Sequence, residues 1–225
     1  MCSRNKTDWI ETYTYEVIDS KMYVMTEGKR ALVIDPCISE TAVGHLKEQN
    51  IDDVLIILTH EHYDHMSGIE LFRNAFDSCT VLCSEACNTY MQRPTRNGSK
   101  YFKALFIDKT LELIEEAEKV QPVSYTADEL FTGEKRFDWQ GHDVFIRETP
   151  GHSPGSSCII VDEEFLFTGD SLLKNDPVIT RLPGGNRKIY NEEALPYLLS
   201  LSGDLMVFPG HGESGVLHEF DIVPC

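Results

Sequence analysis

Four potential metal ligands fall within six positions in the segment Thr59-His60-Glu61-His62-Tyr63-Asp64-His65. Imidazole and carboxylate donors of this kind suit zinc, iron or manganese. A lone His-x-His pair is most often structural. Here His60, His62, Asp64 and His65 follow directly on the apolar run Val54-Leu55-Ile56-Ile57-Leu58, which reads as a buried strand. A strand ending in a tight loop can turn several side chains toward one point.

The chain supplies three more candidates in similar settings. His152 lies in Thr149-Pro150-Gly151-His152-Ser153-Pro154-Gly155, where two Gly and two Pro residues constrain the loop. Asp170 lies in Phe167-Thr168-Gly169-Asp170-Ser171, and His211 in Phe208-Pro209-Gly210-His211-Gly212. Each follows a strand-like run. Taken alone, any one of them reads as a solvated loop residue; taken with the first four, they read as a ligand set.

The elements that must carry these residues are legible in the hydrophobic pattern. Residues 12–18, 21–26 and 30–35 read as strands rich in Tyr, Val, Ile and Thr, the third stopped by Asp35-Pro36. Residues 39–50 suit a helix, and another begins near Ser67. A strand and a short helix follow near 80–90. The 91–122 region has helical patterns over 101–106 and 109–120 and is the natural place for a substrate-specific insertion. Hairpins are expected around Gln140-Gly141-His142 and Asp162-Glu163-Glu164. Residues 192–201 suit a helix, and Leu205–Phe208 a last core strand. No repeat or long linker interrupts the chain, so residues 1–225 are expected to form one domain. Strands, helices, strands and helices in this order suggest two mixed sheets packed together with helices outside.

Composition narrows the partners. With 37 acids against 20 bases the net charge is -17, which opposes phosphate backbones and anionic membrane surfaces. The expected partner is a small-molecule substrate, with no nucleic acid and no membrane; oligomeric state is left open. The polar start, Met1 to Asp8, lacks the apolar core of a secretory signal, and seven cysteines make an odd number, so a reducing, cytoplasmic setting is expected. Cys79, Cys83 and Cys87 stand four apart but read as buried small hydrophobes rather than a metal cluster.

The segments Thr-His-x-His-x-Asp-His, Gly-His-Ser-Pro-Gly, Thr-Gly-Asp and Pro-Gly-His-Gly, in this order, resemble the metal motifs of the metallo-beta-lactamase fold superfamily. Asp35 matches the acidic residue that ends an early strand there. The resemblance spans 35 to 212 and implies an α/β (α+β) fold, a four-layer αββα sandwich with the site at one edge of both sheets. The Gly-Asp-Ser-Leu and Leu182-Pro183-Gly184-Gly185 stretches look most like the glyoxalase II (hydroxyacylglutathione hydrolase) branch in its short form. It implies that His60, His62 and His152 hold one divalent metal ion and Asp64, His65 and His211 a second. Asp170 would bridge them, and Asp35 would orient a ligating His. Zinc is the first expectation, with iron or manganese as the other candidates.

Two dications sharing a water lower its pKa from about 16 toward 7. Asp64, beside that water, is the candidate catalytic residue, orienting it or moving a proton. With two carboxylates and a hydroxide against two dications, the site carries about +1 and can hold an anionic substrate in an acidic protein. The expected activity is hydrolysis of a small ester, thioester or lactone. Only 13 residues follow Gly212, too few for the helical glutathione-binding domain of full-length glyoxalase II, which disfavours a glutathione thioester. The alternative is an oxidoreductase of the persulfide dioxygenase kind, with one iron held by two His and an Asp; the complete second ligand set stands against it. Of the weaker candidates, Arg181, Arg187 and Lys188 read as solvated loop charges before anion ligands, and Tyr63 and Tyr190 as pocket residues. His45, His142 and His218 lack a motif, and Trp9 and Trp139 read as core or hairpin residues.

Overall fold

The computed structural model describes residues 9–106 and 109–225. The polar N-terminal stretch with Cys2, and Ile107-Asp108 within the 91–122 region, lie outside the described residues.

The chain begins as an antiparallel meander, β1 (Ile10–Tyr15), β2 (Ser20–Glu27) and β3 (Arg30–Ile34). After β3 it makes crossover units, each placing a helix between two parallel strands. These are α1 (Glu40–Glu48), β4 (Asp53–Ile57), α2 (Ile69–Ala75), β5 (Ser78–Ser84) and α3 (Glu85–Met91). A 3-10 segment (Ser99–Phe106) and α4 (Leu111–Lys119) form an excursion before β6 (Glu129–Phe131) closes the first sheet, in the order β1-β2-β3-β4-β5-β6. The second sheet runs β12-β11-β10-β9-β8-β7. Its strands are β7 (Glu134–Trp139), β8 (His142–Glu148), β9 (Ser157–Val161), β10 (Phe165–Gly169), β11 (Met206–Pro209) and β12 (Gly215–Val216). Between β10 and β11, α5 (Arg187–Ile189) passes through a π turn (Tyr190–Ala194) into α6 (Leu195–Ser200).

Strand alternation assigns each side chain to a layer. Met22, Val24, Val33, Val54 and Ile56 face outward and pack on Ala42, Val43 and Leu46 of α1, Ile69 and Phe72 of α2, and Met91 of α3. Their neighbours Tyr23, Met25, Leu32, Ile34 and Ile57 face the second sheet and meet Val144, Ile146, Ile159, Val161, Phe167 and Phe208. The reverse face of the second sheet, Cys158, Ile160, Leu166 and Val207, packs on Tyr190, Ala194, Leu195 and Leu198. Four layers, α-β-β-α, result. Strands buried on both faces read as continuous apolar runs, which is why β4 and β9 do.

Several local expectations shift. The helix placed at 192–201 starts at Arg187, because Asn186 caps it by accepting from the amides of Lys188 and Ile189. Arg187 and Lys188 therefore sit on a helix rather than in a loop, and Lys188 reaches Glu192 at 3.8 Å. The π turn precedes Pro196, whose missing N–H and bulky ring disallow the ordinary helical bond at that point. Leu205–Phe208 does not end the sheet: the two-residue β12 pairs with β11 as an edge. Cys83 and Cys87 meet in the core and half-buried Cys79 packs against the same cluster; among the described residues no metal-competent group includes a cysteine.

Candidate metal centre

Parallel pairing brings the loops together. β3 and β4 run parallel, so Asp35 and the His60–His65 loop leave the first sheet at the same edge. β10 and β11 run parallel, so Asp170 and His211 leave the second sheet together. Ser157 N–H donates to the Thr59 carbonyl at 2.7 Å and Lys21 N–H to the Gly210 carbonyl at 2.8 Å, joining the two edges. His152, in the loop between β8 and β9, comes within 3.5 Å of Asp170.

All seven expected side chains converge. His60, His62 and His152 form one group, and Asp64, His65 and His211 another, each with its donor atoms within 4.8 Å of one another. In the second group Asp64 Oδ2 lies 3.2 Å from both His65 Nε2 and His211 Nε2, and the two nitrogens are 3.3 Å apart. Ligands at about 2.0–2.1 Å from a tetrahedral ion stand about 3.3–3.4 Å from each other, so this triangle has the size of one face of a zinc site. Asp170 lies between the groups, with Oδ1 3.5 Å from His65 Nε2 and Oδ2 3.5 Å from His152 Nε2 and 3.6 Å from His211 Nε2.

The surrounding hydrogen bonds fix which nitrogens carry protons. Asp35, in a left-handed conformation (φ 53°) just past β3, accepts from Thr59 N–H at 2.7 Å, from the Thr59 hydroxyl, and from His65 Nδ1–H at 3.0 Å. Because the Thr59 proton goes to Asp35, its oxygen accepts from His60 Nδ1–H at 3.0 Å. His152 Nδ1–H donates to the Ile179 carbonyl at 2.8 Å. His60, His65 and His152 therefore all turn an Nε2 lone pair inward, the state a metal ligand needs. His60 Nε2 and Asp170 Oδ1 are buried with no hydrogen-bond partner, and His62 turns its Nδ1 to within 2.9 Å of His152 Nε2. Buried polar atoms are otherwise almost always satisfied, and a cation is the partner this donor set fits.

The electrostatics divide the cluster: three imidazoles are held neutral, and two are drawn toward the protonated form that a metal ion would have to displace. Burial and like-charged neighbours push His60 well below the ordinary imidazole range, push His62 down to about 3, and lower His152. Burial opposes charge on His65 and His211 too, but Asp64 and Asp170 outweigh it and raise both. Burial also raises Asp64 and Asp170, yet the facing imidazoles hold both carboxyls below their usual range. Gly210 permits the approach of the two sheets: a Cβ there would collide with Asp170 Oδ1 and the His65 ring.

A model of the metallo-beta-lactamase superfamily matches residues 16–211. The chain belongs to that superfamily. Two relatives named as probable metallo-hydrolases, from Streptococcus pyogenes and Bacillus subtilis, are each 27% identical to it. The first match covers 90% of this chain and 83% of the relative; the second covers 92% of each. The crystal structure of the BLEG-1 B3 metallo-beta-lactamase superposes with a TM-score of 0.76 at 26% identity, over 93% of this chain and 95% of that one. The four-layer fold is thus the superfamily's, and the relatives it resembles carry a metallo-hydrolase name.

Residues outside the cluster have other work. The Tyr63 ring packs on Phe102 at 5.0 Å, in a separate apolar cluster with Phe106 and Ala117. Tyr190 is buried and donates to the Ser171 carbonyl at 3.0 Å. His45 pairs with the Tyr13 hydroxyl, His142 with Asp162, and His218 with the Gly203 carbonyl. Trp139 is in the inter-sheet core and Trp9 stacks on His142 at 4.2 Å between ring centres. Arg181 and Arg187 are exposed. Sequence reading passed over Glu61, which is fully buried between two candidate ligands. The available signal was a charged residue in the alternate register from His60 and His62, straight after a strand buried on both faces. Among the described residues no helix is long and apolar enough to cross a membrane.

Proposed function

We propose that this chain is a binuclear metal-dependent hydrolase of a small ester, thioester or lactone. The observation that carries the reading is the seven-residue cluster, in which His60, His65 and His152 keep protons on outward nitrogens and Asp170 lies between two groups of converging donors. His60, His62 and His152 would hold one ion, Asp64, His65 and His211 the other, and Asp170 both. Bound there, two divalent ions (zinc by the chemistry of the donors) would supply Lewis acidity that activates water at neutral pH and stabilises an oxyanion.

The protein's part is positioning. His60 and His65 are almost wholly enclosed, whereas the side chains of Asp64, Asp170 and His211 are 10%, 13% and 23% exposed. Substrate therefore approaches over these three. Asp64, ionised and at the open side, accepts a hydrogen bond from the attacking water and aims it; a carboxylate held below its usual range is a better acceptor than proton carrier. The similarity to proteins named metallo-hydrolases and to a solved B3 metallo-beta-lactamase supports hydrolysis at a carbonyl centre.

The test is metal per chain by mass spectrometry on the purified protein, followed by an ester, thioester and lactone screen. Two equivalents of zinc, with turnover of one class, support the proposal. One equivalent of iron, with oxygen consumed on addition of a persulfide, would establish the dioxygenase alternative instead. Asp170→Ala is expected to lose both ions and nearly all activity; full activity in that variant would remove its bridging role.

A further inference from the structure

Glu61 stands between His60 and His62, but its side chain turns the other way and is fully buried beneath the loop that carries His152. Its Oε2 accepts from the Ser153 hydroxyl at 2.9 Å and lies close against Gly155. Ser153 in turn accepts from the Ser156 hydroxyl at 2.9 Å, and the Ser156 carbonyl accepts from Thr149 N–H at 2.7 Å. Gly155 is required for this contact, because a Cβ there would strike both the Glu61 carboxylate and the backbone of Cys87. The carboxylate is thus the anchor on which the 149–157 loop is folded.

That loop supplies the one member of the three-histidine group that is not on the 60–62 segment. Glu61 shares its backbone with His60 and His62, and Ser153 adjoins His152, so the Glu61–Ser153 hydrogen bond ties together the two segments that carry the group. A carboxylate at zero exposure costs free energy, and Oε1 here has no hydrogen-bond partner to offset it. An apolar residue would fill the space under the loop without that cost, but it could not accept from Ser153.

We propose that Glu61 is a positioning residue that fixes the His152 imidazole against His60 and His62, and so sets the affinity of the three-histidine group for a metal ion. The proposal rests on the reading of those three residues as ligands. Ligand-orienting groups of this kind change metal affinity by about 10–100-fold when removed.

The experiment compares wild type, Glu61→Ala, Glu61→Gln and Ser153→Ala, each stripped and reloaded with Co2+ or Zn2+ alone. Readouts are the visible spectrum of the cobalt form and metal retained per chain against a competing chelator. Glu61→Ala is expected to bind one equivalent about 10–100-fold more weakly, with an altered cobalt spectrum, while the other equivalent is kept. Glu61→Gln, which retains one acceptor oxygen for Ser153, is expected to restore the wild-type spectrum. Ser153→Ala, which removes a single hydroxyl and so disturbs the fold less than Glu61→Ala, is expected to shift the same equivalent in the same direction. Wild-type spectra and affinity in Glu61→Ala, or in Ser153→Ala should Glu61→Ala not fold, would overturn the positioning role and leave the ligand assignment standing. A Glu61→Gln protein as impaired as Glu61→Ala would also overturn it. A wild-type protein that takes up no metal would overturn the ligand assignment itself, and this proposal with it.

Discussion

Replacing Asp35 with Asn changes a single buried atom and separates folding from metal binding. Asp35 holds three donors: Thr59 N–H, the Thr59 hydroxyl and His65 Nδ1–H. Ala would strand all three; at roughly 1–3 kcal/mol for each buried group left unsatisfied, the loss is roughly 3–9 kcal/mol against a total stability of about 5–15. Asn avoids most of that. Its carbonyl oxygen can keep the bond to Thr59 N–H, while its NH2 group takes the place of Oδ2 and faces Thr59 Oγ1 and His65 Nδ1. A donor opposite His65 Nδ1 pulls the imidazole into the other tautomer, with its proton on Nε2, the atom 3.2 Å from Asp64 and 3.3 Å from His211. The lone pair needed for ligation is then occupied. Asp35→Asn should therefore stay folded yet bind the ion at Asp64, His65 and His211 about 10–100-fold more weakly, with the three-histidine site nearly unchanged. Metal retained per chain after graded chelator dialysis, beside a denaturant melt of the stripped protein, reads both quantities. An Asn variant that keeps both equivalents at wild-type affinity would refute the tautomer argument.

Gly210→Ala should cost metal and activity together, because its Cβ collides with Asp170 Oδ1 and the His65 ring; a variant with wild-type metal content and rate would show that the loop yields freely. Acid should strip the two ions in order. A ligand must give up its proton to bind, and His65 and His211 are raised whereas His60, His62 and His152 are lowered, so protons compete at higher pH for the first pair. Metal per chain measured from pH 7 downward should fall first by the equivalent that His211→Ala lacks, and the reverse order would contradict these shifts. Tyr63→Phe should leave kcat within about two- to three-fold of wild type, because the ring belongs to an apolar cluster with Phe102 and Phe106 rather than to the ligand set; a loss of about 100-fold or more, a difference of roughly 2.7 kcal/mol, would place that hydroxyl in the chemistry.

The amino-acid sequence by itself determined the ligand types and the elements that carry them. Continuous apolar runs marked β4, β9 and β11, because strands covered on both faces need apolar side chains at every position. Glycines at the shoulders of His152, Asp170 and His211 marked places where backbones crowd, and His-x-His-x-Asp-His is dense enough to point to a metal without a fold. Helix onset at Arg187 was less legible, since Asn186 reads equally as a loop residue until its side chain is seen to accept from the next amides. Tertiary structure alone decided which atoms face which. Asp35 and His65 are thirty residues apart, and only the parallel pairing of β3 with β4 puts that carboxylate on Nδ1. His62 and His152 are ninety apart and meet at 2.9 Å because two sheets from different halves of the chain share an edge. Glu61 looked like any polar residue between two ligands; its burial and its grip on Ser153 depend on a loop that arrives from the other sheet. Local sequence fixes the period and the donor chemistry, but the proton on each imidazole is set by neighbours that are distant along the chain and close only in the folded state.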